Sequence, residues 1–76
     1  MTQIYVGCNA YKPWEIFKAT SEPTFDSHGN EFNAVIGPFR TMAGAAFMRD
    51  HGKGNPHCST VSQAEWLGNH VEIVMG

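Results

Sequence analysis

The sequence predicts a small α+β domain in which two helices pack on one face of an antiparallel sheet of three to four strands. Three short runs rich in β-branched and aromatic residues, at 3–7, 14–20 and 32–37, have the composition of strands. Two segments with helical spacing of apolar residues follow, and an apolar run at 71–75 has the composition of a last strand. The predicted order is β-β-β-α-α-β, and residues 1–76 form a single domain.

The three early runs differ in how their ends are marked. The first ends at Gly7, and the second ends before the Ser- and Pro-containing segment 21–23. The third run carries apolar residues on both sides, which predicts an inner strand covered on both faces, and Pro38 is expected to end it. A hairpin with a long tip, turning at 27–30, is expected to join the second and third strands.

The first helix is predicted between Thr41, a favourable N-cap, and Gly52, a residue suited to a left-handed C-terminal position. Ala43, Ala46 and Phe47 follow the i, i+3, i+4 spacing of a buried face. We therefore expect Phe47 to point toward the sheet.

The second helix is predicted to begin at Thr60, with Gln63 completing a T-x-x-Q capping box. Val61, Ala64 and Leu67 form its apolar face.

Two large apolar side chains lie outside these faces. At 100° per residue, Met48 lies roughly 150° and Trp66 roughly 160° from the centre of the buried face of its helix. Trp and Met are enriched at protein interfaces. The spacing therefore predicts that Trp66, with Met48 if the helices lie side by side, contacts a protein partner or a second copy of the chain. The alternative is that the two side chains fold over neighbouring loops or the N-terminal segment.

Composition narrows the classes of partner. Charged residues make up 16% of the chain. There are 5 Lys and Arg residues and 7 Asp and Glu residues, which gives a net charge of −2. This balance does not favour nucleic acid, whereas a weakly charged surface favours association with a protein. No apolar stretch is long enough to cross a membrane, and the N-terminus lacks the pattern of a secretory signal. We expect a cytoplasmic protein with reduced cysteines.

The neighbouring residues His57 and Cys58 raise the question of metal binding or catalysis. Adjacent residues of an extended segment point to opposite sides, so these two are badly placed to share an ion. His51 and His57 have a spacing found in zinc sites, but a second ligand pair is missing. We expect no metal, no cofactor and no catalytic residue, with Cys58 as a small buried side chain. A metal- or thiol-dependent enzyme using His51, His57 and Cys58 is a third hypothesis.

Basic residues near the start of the second helix support another alternative. Arg49, Lys53 and His57 surround the junction between the helices, where backbone N–H groups of a helix start attract anions. This pattern is typical of a module that binds nucleic acid or a phosphate ligand. Asp26, His28 and Glu31 have the chemistry of acid–base catalysis, but they are equally typical of a solvated turn.

Two motifs resemble those of a known group of proteins. The segments "VIGPFRT" at 35–41 and "GNPHCSTVSQAE" at 54–65 are similar to segments of short uncharacterised proteins encoded by tailed bacteriophages and prophages. The resemblance covers roughly residues 14–67. It implies an accessory role in the bacterial cytoplasm and carries over no catalytic residue. The first hypothesis is therefore a phage-type protein that acts by non-catalytic binding to another macromolecule.

Overall fold

A computed structural model of the chain describes residues 2–54, 56, 58–69 and 72–74. The predicted α+β class is confirmed, with the helices packed against an antiparallel sheet. The elements in chain order are β1 (Gln3–Cys8), β2 (Glu15–Ala19), α1 (Phe25–His28), β3 (Ala34–Phe39), α2 (Met42–His51), α3 (Val61–Asn69) and β4 (Glu72–Val74). A single 3₁₀ turn, Gly52–Gly54, follows α2.

The strands lie in the order β2-β1-β3-β4, and each neighbouring pair is antiparallel. β4 is a short segment whose residues 72–74 pair with β3, and residues 71 and 75 of the predicted last strand lie outside the described residues. β1 is an inner strand, and its last four residues are all buried because both of its edges and both of its faces are covered.

The predicted hairpin between the second and third strands is wrong. Both β2 and β3 pair antiparallel with β1, so they run in the same direction and residues 20–33 form a crossover. Parallel strands cannot be joined by a tight turn. The crossover instead contains α1, whose first turn is capped reciprocally by Thr24 and Ser27.

Pro38 does not end the third strand as expected, because β3 continues to Phe39. The register changes between the pairs Ile4↔Phe39 and Val6↔Ile36, which leaves one extra residue on β3 around Pro38. A bulge of this kind tolerates a residue that has no N–H to donate.

The two faces of the sheet bury separate clusters. On the helix-bearing face, β1 and β3 pack against both long helices through Val6, Cys8, Ile36, Phe39, Ala45, Met48, Cys58 and Ala64. On the opposite face, the crossover covers the sheet through a second cluster of Tyr5, Phe32 and Val35. The third strand was predicted to be an inner strand that is buried on both faces. This is confirmed, because β3 contributes Ile36 to one cluster and Val35 to the other.

Helix α2 has the predicted bounds, with the Thr41 side chain accepting a hydrogen bond from the Gly44 amide. Gly52 follows it with φ of −63°, so the expected left-handed C-terminal position is not used. The predicted buried face is also wrong, because Ala43 is exposed while Gly44, Ala45 and Met48 are buried. The helix is rotated by roughly 150° from the predicted orientation at 100° per residue.

Helix α3 has the predicted apolar face, since Ala64 is buried and Leu67 packs against the same cluster. Its backbone, however, is left-handed: from Ser62 to Gly68, φ lies between 46° and 62° and ψ between 41° and 56°. Left-handed helix costs about 1–2 kcal/mol for each residue that has a Cβ, because the Cβ crowds the following carbonyl oxygen.

The intrinsic preference of this segment is therefore for right-handed winding. The predicted Thr60–Gln63 capping box is not formed in the described part of the chain, where Thr60 has φ of 127°. Reversing the hand of a helix reverses its sense of rotation but does not change the size of the angle between two residues around its axis. Trp66 thus lies opposite the buried face of α3 in either hand.

Glycine substitution tests this winding directly. Gln63 is exposed, so Gln63→Gly changes little besides the backbone. In the left-handed helix the variant should be more stable by about 1 kcal/mol, because glycine removes the Cβ crowding. The control is Ala43→Gly, an exposed position in right-handed α2, where glycine should cost about 1 kcal/mol. Equal losses for both variants in urea denaturation would show that α3 is right-handed in solution.

Candidate functional site

A groove of about 850 Å³ lies where the start of β1, the end of β3 and α3 meet. Its walls combine polar and charged residues with the apolar residues Ile4, Pro38, Phe39, Val61 and Trp66. A recess of this size can accept a ligand or a side chain from a partner.

Trp66 stands at this groove with 62% of its surface exposed, so its predicted exposure is confirmed. Met48 does not share this surface. It is only 3% exposed and belongs to the helix-bearing face of the core, so its predicted role in an interface is wrong. The rotation of α2 explains the error, because the face that holds Met48 is turned toward the sheet. Phe47 lies at the side of the helix, where its ring contacts that of His51.

Glu65, next to Trp66, joins α3 to the start of α2. Its carboxylate accepts hydrogen bonds from the Arg40 amide, from the Thr41 amide at 2.8 Å and from the Thr41 hydroxyl. Gly44 makes room for this carboxylate, because a Cβ at that position would overlap it. Sequence reasoning missed Glu65, since its partners are far away in the chain and no local motif marks them.

The environment of Glu65 lowers the pKa of its carboxyl group. Burial by itself would raise that pKa, but the hydrogen bonds from Thr41 and from the two amides, with the charge of Arg40, outweigh it. A carboxylate at the start of a helix is also stabilised by the helix dipole. The ionised form of Glu65 therefore holds the two helices together.

This arrangement predicts a pH dependence of stability. Because the pKa of Glu65 is lower in the folded state than its ordinary value of 4.5, its contribution is complete above that pH and is lost as the pH falls through the folded pKa. Glu65→Gln should cost about 1 kcal/mol at neutral pH, where a neutral acceptor replaces a charged one. In urea denaturation, the difference in free energy of unfolding between the wild type and the variant should shrink below about pH 4.5. A difference that stays the same at every pH would contradict the role of the charge.

A second cleft, of about 700 Å³, lies between the β1–β2 loop, the end of the crossover and the C-terminal part of α2. Trp14 provides an aromatic wall, while Lys12, Glu15, Glu31 and Arg49 place charges of both signs around it. Sequence reasoning did not bring these residues together, because they come from three separate segments.

Two of the three residues of the predicted anion site, Arg49 and Lys53, lie within the described part of the chain. The Arg49 guanidinium donates to the carboxylate of Asp50 at 2.9 Å, which already balances its charge. Lys53 is exposed and is not one of the residues that form the cleft around Arg49. His57, the third predicted residue, lies outside the described residues.

Cys58 and the histidines were the candidates for chemistry. Cys58 is 3% exposed within the core, as expected for a packing residue, and burial raises the pKa of its thiol. A raised pKa leaves less of the reactive thiolate at neutral pH.

The ring of His28, a residue of the crossover, stacks on the rings of Phe17 and Phe32. Among the residues that the structure describes, no three His, Cys, Asp or Glu side chains are grouped as metal ligands would be.

None of the helices in the described ranges has the length and apolar character required to cross a bilayer. Comparisons of the chain with protein-family models, with curated proteins and with solved structures found no match.

Proposed function

We propose that this domain acts by non-catalytic binding to a protein, and that the Trp66 groove is its contact surface. We define the Trp66 groove as the surface formed by Gln3, Ile4, Pro38, Arg40, Val61 and Trp66. The observation that carries the proposal is a largely exposed tryptophan at the wall of an open groove. Buried at an interface, such a side chain contributes more binding energy than most other residue types.

The charges of the chain support a protein rather than a nucleic acid as target. Arg49 is balanced by Asp50, and acidic residues outnumber basic ones over the whole chain. A thiol enzyme has less support, because the Cys58 thiol is buried and its pKa is raised. The resemblance to short phage proteins supports an accessory role in the bacterial cytoplasm.

The test compares two exposed aromatic residues. Trp66→Ala should abolish capture of the partner from bacterial and phage-infected lysates, measured by quantitative mass spectrometry on the immobilised protein. Tyr11→Ala is the matched control, because Tyr11 is 95% exposed in the β1–β2 loop and does not line the groove. Trp66→Ala should change the free energy of unfolding by less than about 1 kcal/mol, since the ring lies mostly outside the core.

Equal capture by the wild type and by both variants would contradict the proposal. Salt-sensitive retention of DNA or RNA, unaffected by Trp66→Ala, would favour the nucleic-acid alternative instead.

A further inference from the structure

We propose that the cleft beside Trp14 binds a small zwitterion, an amino acid or a short peptide with an apolar side chain. We define the Trp14 cleft as the surface formed by Lys12, Trp14, Glu15, Ile16, Glu31 and Phe32. Its volume of about 700 Å³ is within the range of roughly 300–1,000 Å³ found for small-molecule sites. This inference does not rest on the proposed function, because the cleft shares no residue with the Trp66 groove.

Charge is what selects this class of ligand. Lys12, Glu15 and Glu31 all line the cleft, and all three are exposed. In the described part of the chain Arg49 and Asp50 form an ion pair, but Lys12 forms none with either glutamate. The cleft therefore holds charges of opposite sign that do not neutralise each other.

A ligand that fills the cleft displaces water from these charges. Burying a charge costs free energy unless an opposite charge pairs with it. A ligand with one sign of charge, or with none, leaves either the Lys12 ammonium or the two carboxylates without a partner. A zwitterion offers a carboxylate to Lys12 and an ammonium group to Glu15 and Glu31, so that both signs are paired.

The apolar part of the wall provides a surface on which the ligand's side chain can pack. Trp14 is half-buried and packs against the core of the helix-bearing face. Its Cζ3 atom lies so near Gly52 that a Cβ there would be 2.8 Å away, which holds the ring in place. Ile16 and Phe32 line the same cleft. Such a wall favours a ligand with an apolar or aromatic side chain.

Hydrogen bonds join the walls of the cleft to each other. The Asn9 side chain donates to the Glu31 carbonyl oxygen at 3.0 Å, and the Ala10 amide donates to the Asn33 side-chain oxygen at 3.1 Å. The Asn33 amide in turn donates to the Cys8 carbonyl oxygen at 2.8 Å. The β1–β2 loop is thus tied to the end of the crossover, so binding requires little further ordering of these segments.

A titration of the full chain followed by ¹H–¹⁵N NMR tests the proposal, at about pH 6, where amino groups are protonated. The probes are L-phenylalanine and alanylphenylalanine, each compared with its amide, which lacks the carboxylate, and with its N-acetyl form, which lacks the ammonium group. At least one zwitterion should shift the Trp14 indole signal saturably, with a dissociation constant of about 0.1–10 mM. Each blocked analogue should bind about three- to fivefold more weakly, as expected for the loss of one exposed ion pair.

Variants assign each charge of the ligand to its partner. Lys12→Met should weaken binding of the zwitterion to the level of its amide and leave binding of the amide itself unchanged. Glu15→Gln combined with Glu31→Gln should weaken it to the level of the N-acetyl form. Lys18→Met is the matched control, because Lys18 is exposed but does not line the cleft. Circular dichroism checks that each variant is folded, and the blocked analogues decide the outcome if one is not.

The proposal is overturned if neither zwitterion shifts the cleft signals saturably, or if the zwitterions and their blocked analogues bind equally. A loss for Lys18→Met as large as that for Lys12→Met would overturn it too, because the effect would then come from the net charge of the chain. Trp66→Ala should bind the probes like the wild type, and its spectrum identifies the Trp14 indole signal. Failure of this inference leaves the proposed function unchanged, since the two use separate surfaces.

Discussion

Phe32→Ala should lower the free energy of unfolding by about 3–5 kcal/mol, as expected for a buried aromatic ring in a small core. Phe32 is 6% exposed and closes the sheet face opposite the helices. Its ring stacks on that of Phe17 with 5.2 Å between centroids, and it lies directly on Gly7, where any Cβ would overlap it. No side chain at Gly7 can fill the space that the ring leaves, so the cavity should persist.

The measurement is urea denaturation, followed by circular dichroism. Phe25→Ala is the matched control, because Phe25 belongs to the same crossover but is 62% exposed. It should cost less than about 1 kcal/mol. Similar losses for the two variants would mean that the crossover does not cover this face of the sheet in solution.

Met48→Ala should be the second large loss, about 3 kcal/mol, within the range for a buried methionine. Met48 is 3% exposed, and a Cβ at Gly52 would overlap its sulfur, so the side chain is closely packed. Phe47→Ala should cost less, about 1–2 kcal/mol, because its ring is only partly buried beside His51.

This ranking reverses the expectation from sequence, which placed Phe47 toward the sheet. Chemical denaturation of both variants decides between the two orientations of α2. Met42→Ala serves as a control in the same helix, at a position that is 46% exposed. A greater loss for Phe47→Ala than for Met48→Ala would restore the predicted face.

The error in α2 shows where sequence periodicity loses its power. Ala43, Ala46 and Phe47 satisfy helical spacing, but so do Gly44, Ala45 and Met48 on the other side. A helix rich in Ala and Gly has no strongly polar face to exclude either choice. The contact that distinguishes them is long-range: Gly44 faces the Glu65 carboxylate, which a side chain at that position would displace.

The prediction of strand pairing from sequence was limited in the same way. The positions of the strands and of α2 follow from local composition and from Thr41, and these were predicted closely. Residues 20–33 form a hairpin if β2 pairs with β3, and a crossover if β1 lies between these two strands. Local sequence signals do not show which strands pair. In the candidate site, the exposure of Trp66 follows from its angle on the helix alone. The position of Glu65 depends on Arg40 and Thr41, which are brought near it only by the fold.

One of the two inner strands of the sheet, β1, is also the first of the four to be synthesised. β1 and β2 are neighbours in sequence and can form a ribbon early, but the other edge of β1 must wait for β3, since Cys8 pairs with Ala34. A two-stranded ribbon is only marginally stable, and closing the intervening loop costs entropy before any new contact forms. While the chain is still emerging from the ribosome, β1 therefore presents an uncovered edge of unpaired backbone N–H and C=O groups. Fragments that end before residue 34 should aggregate through that edge, which the full chain covers with its own later segment.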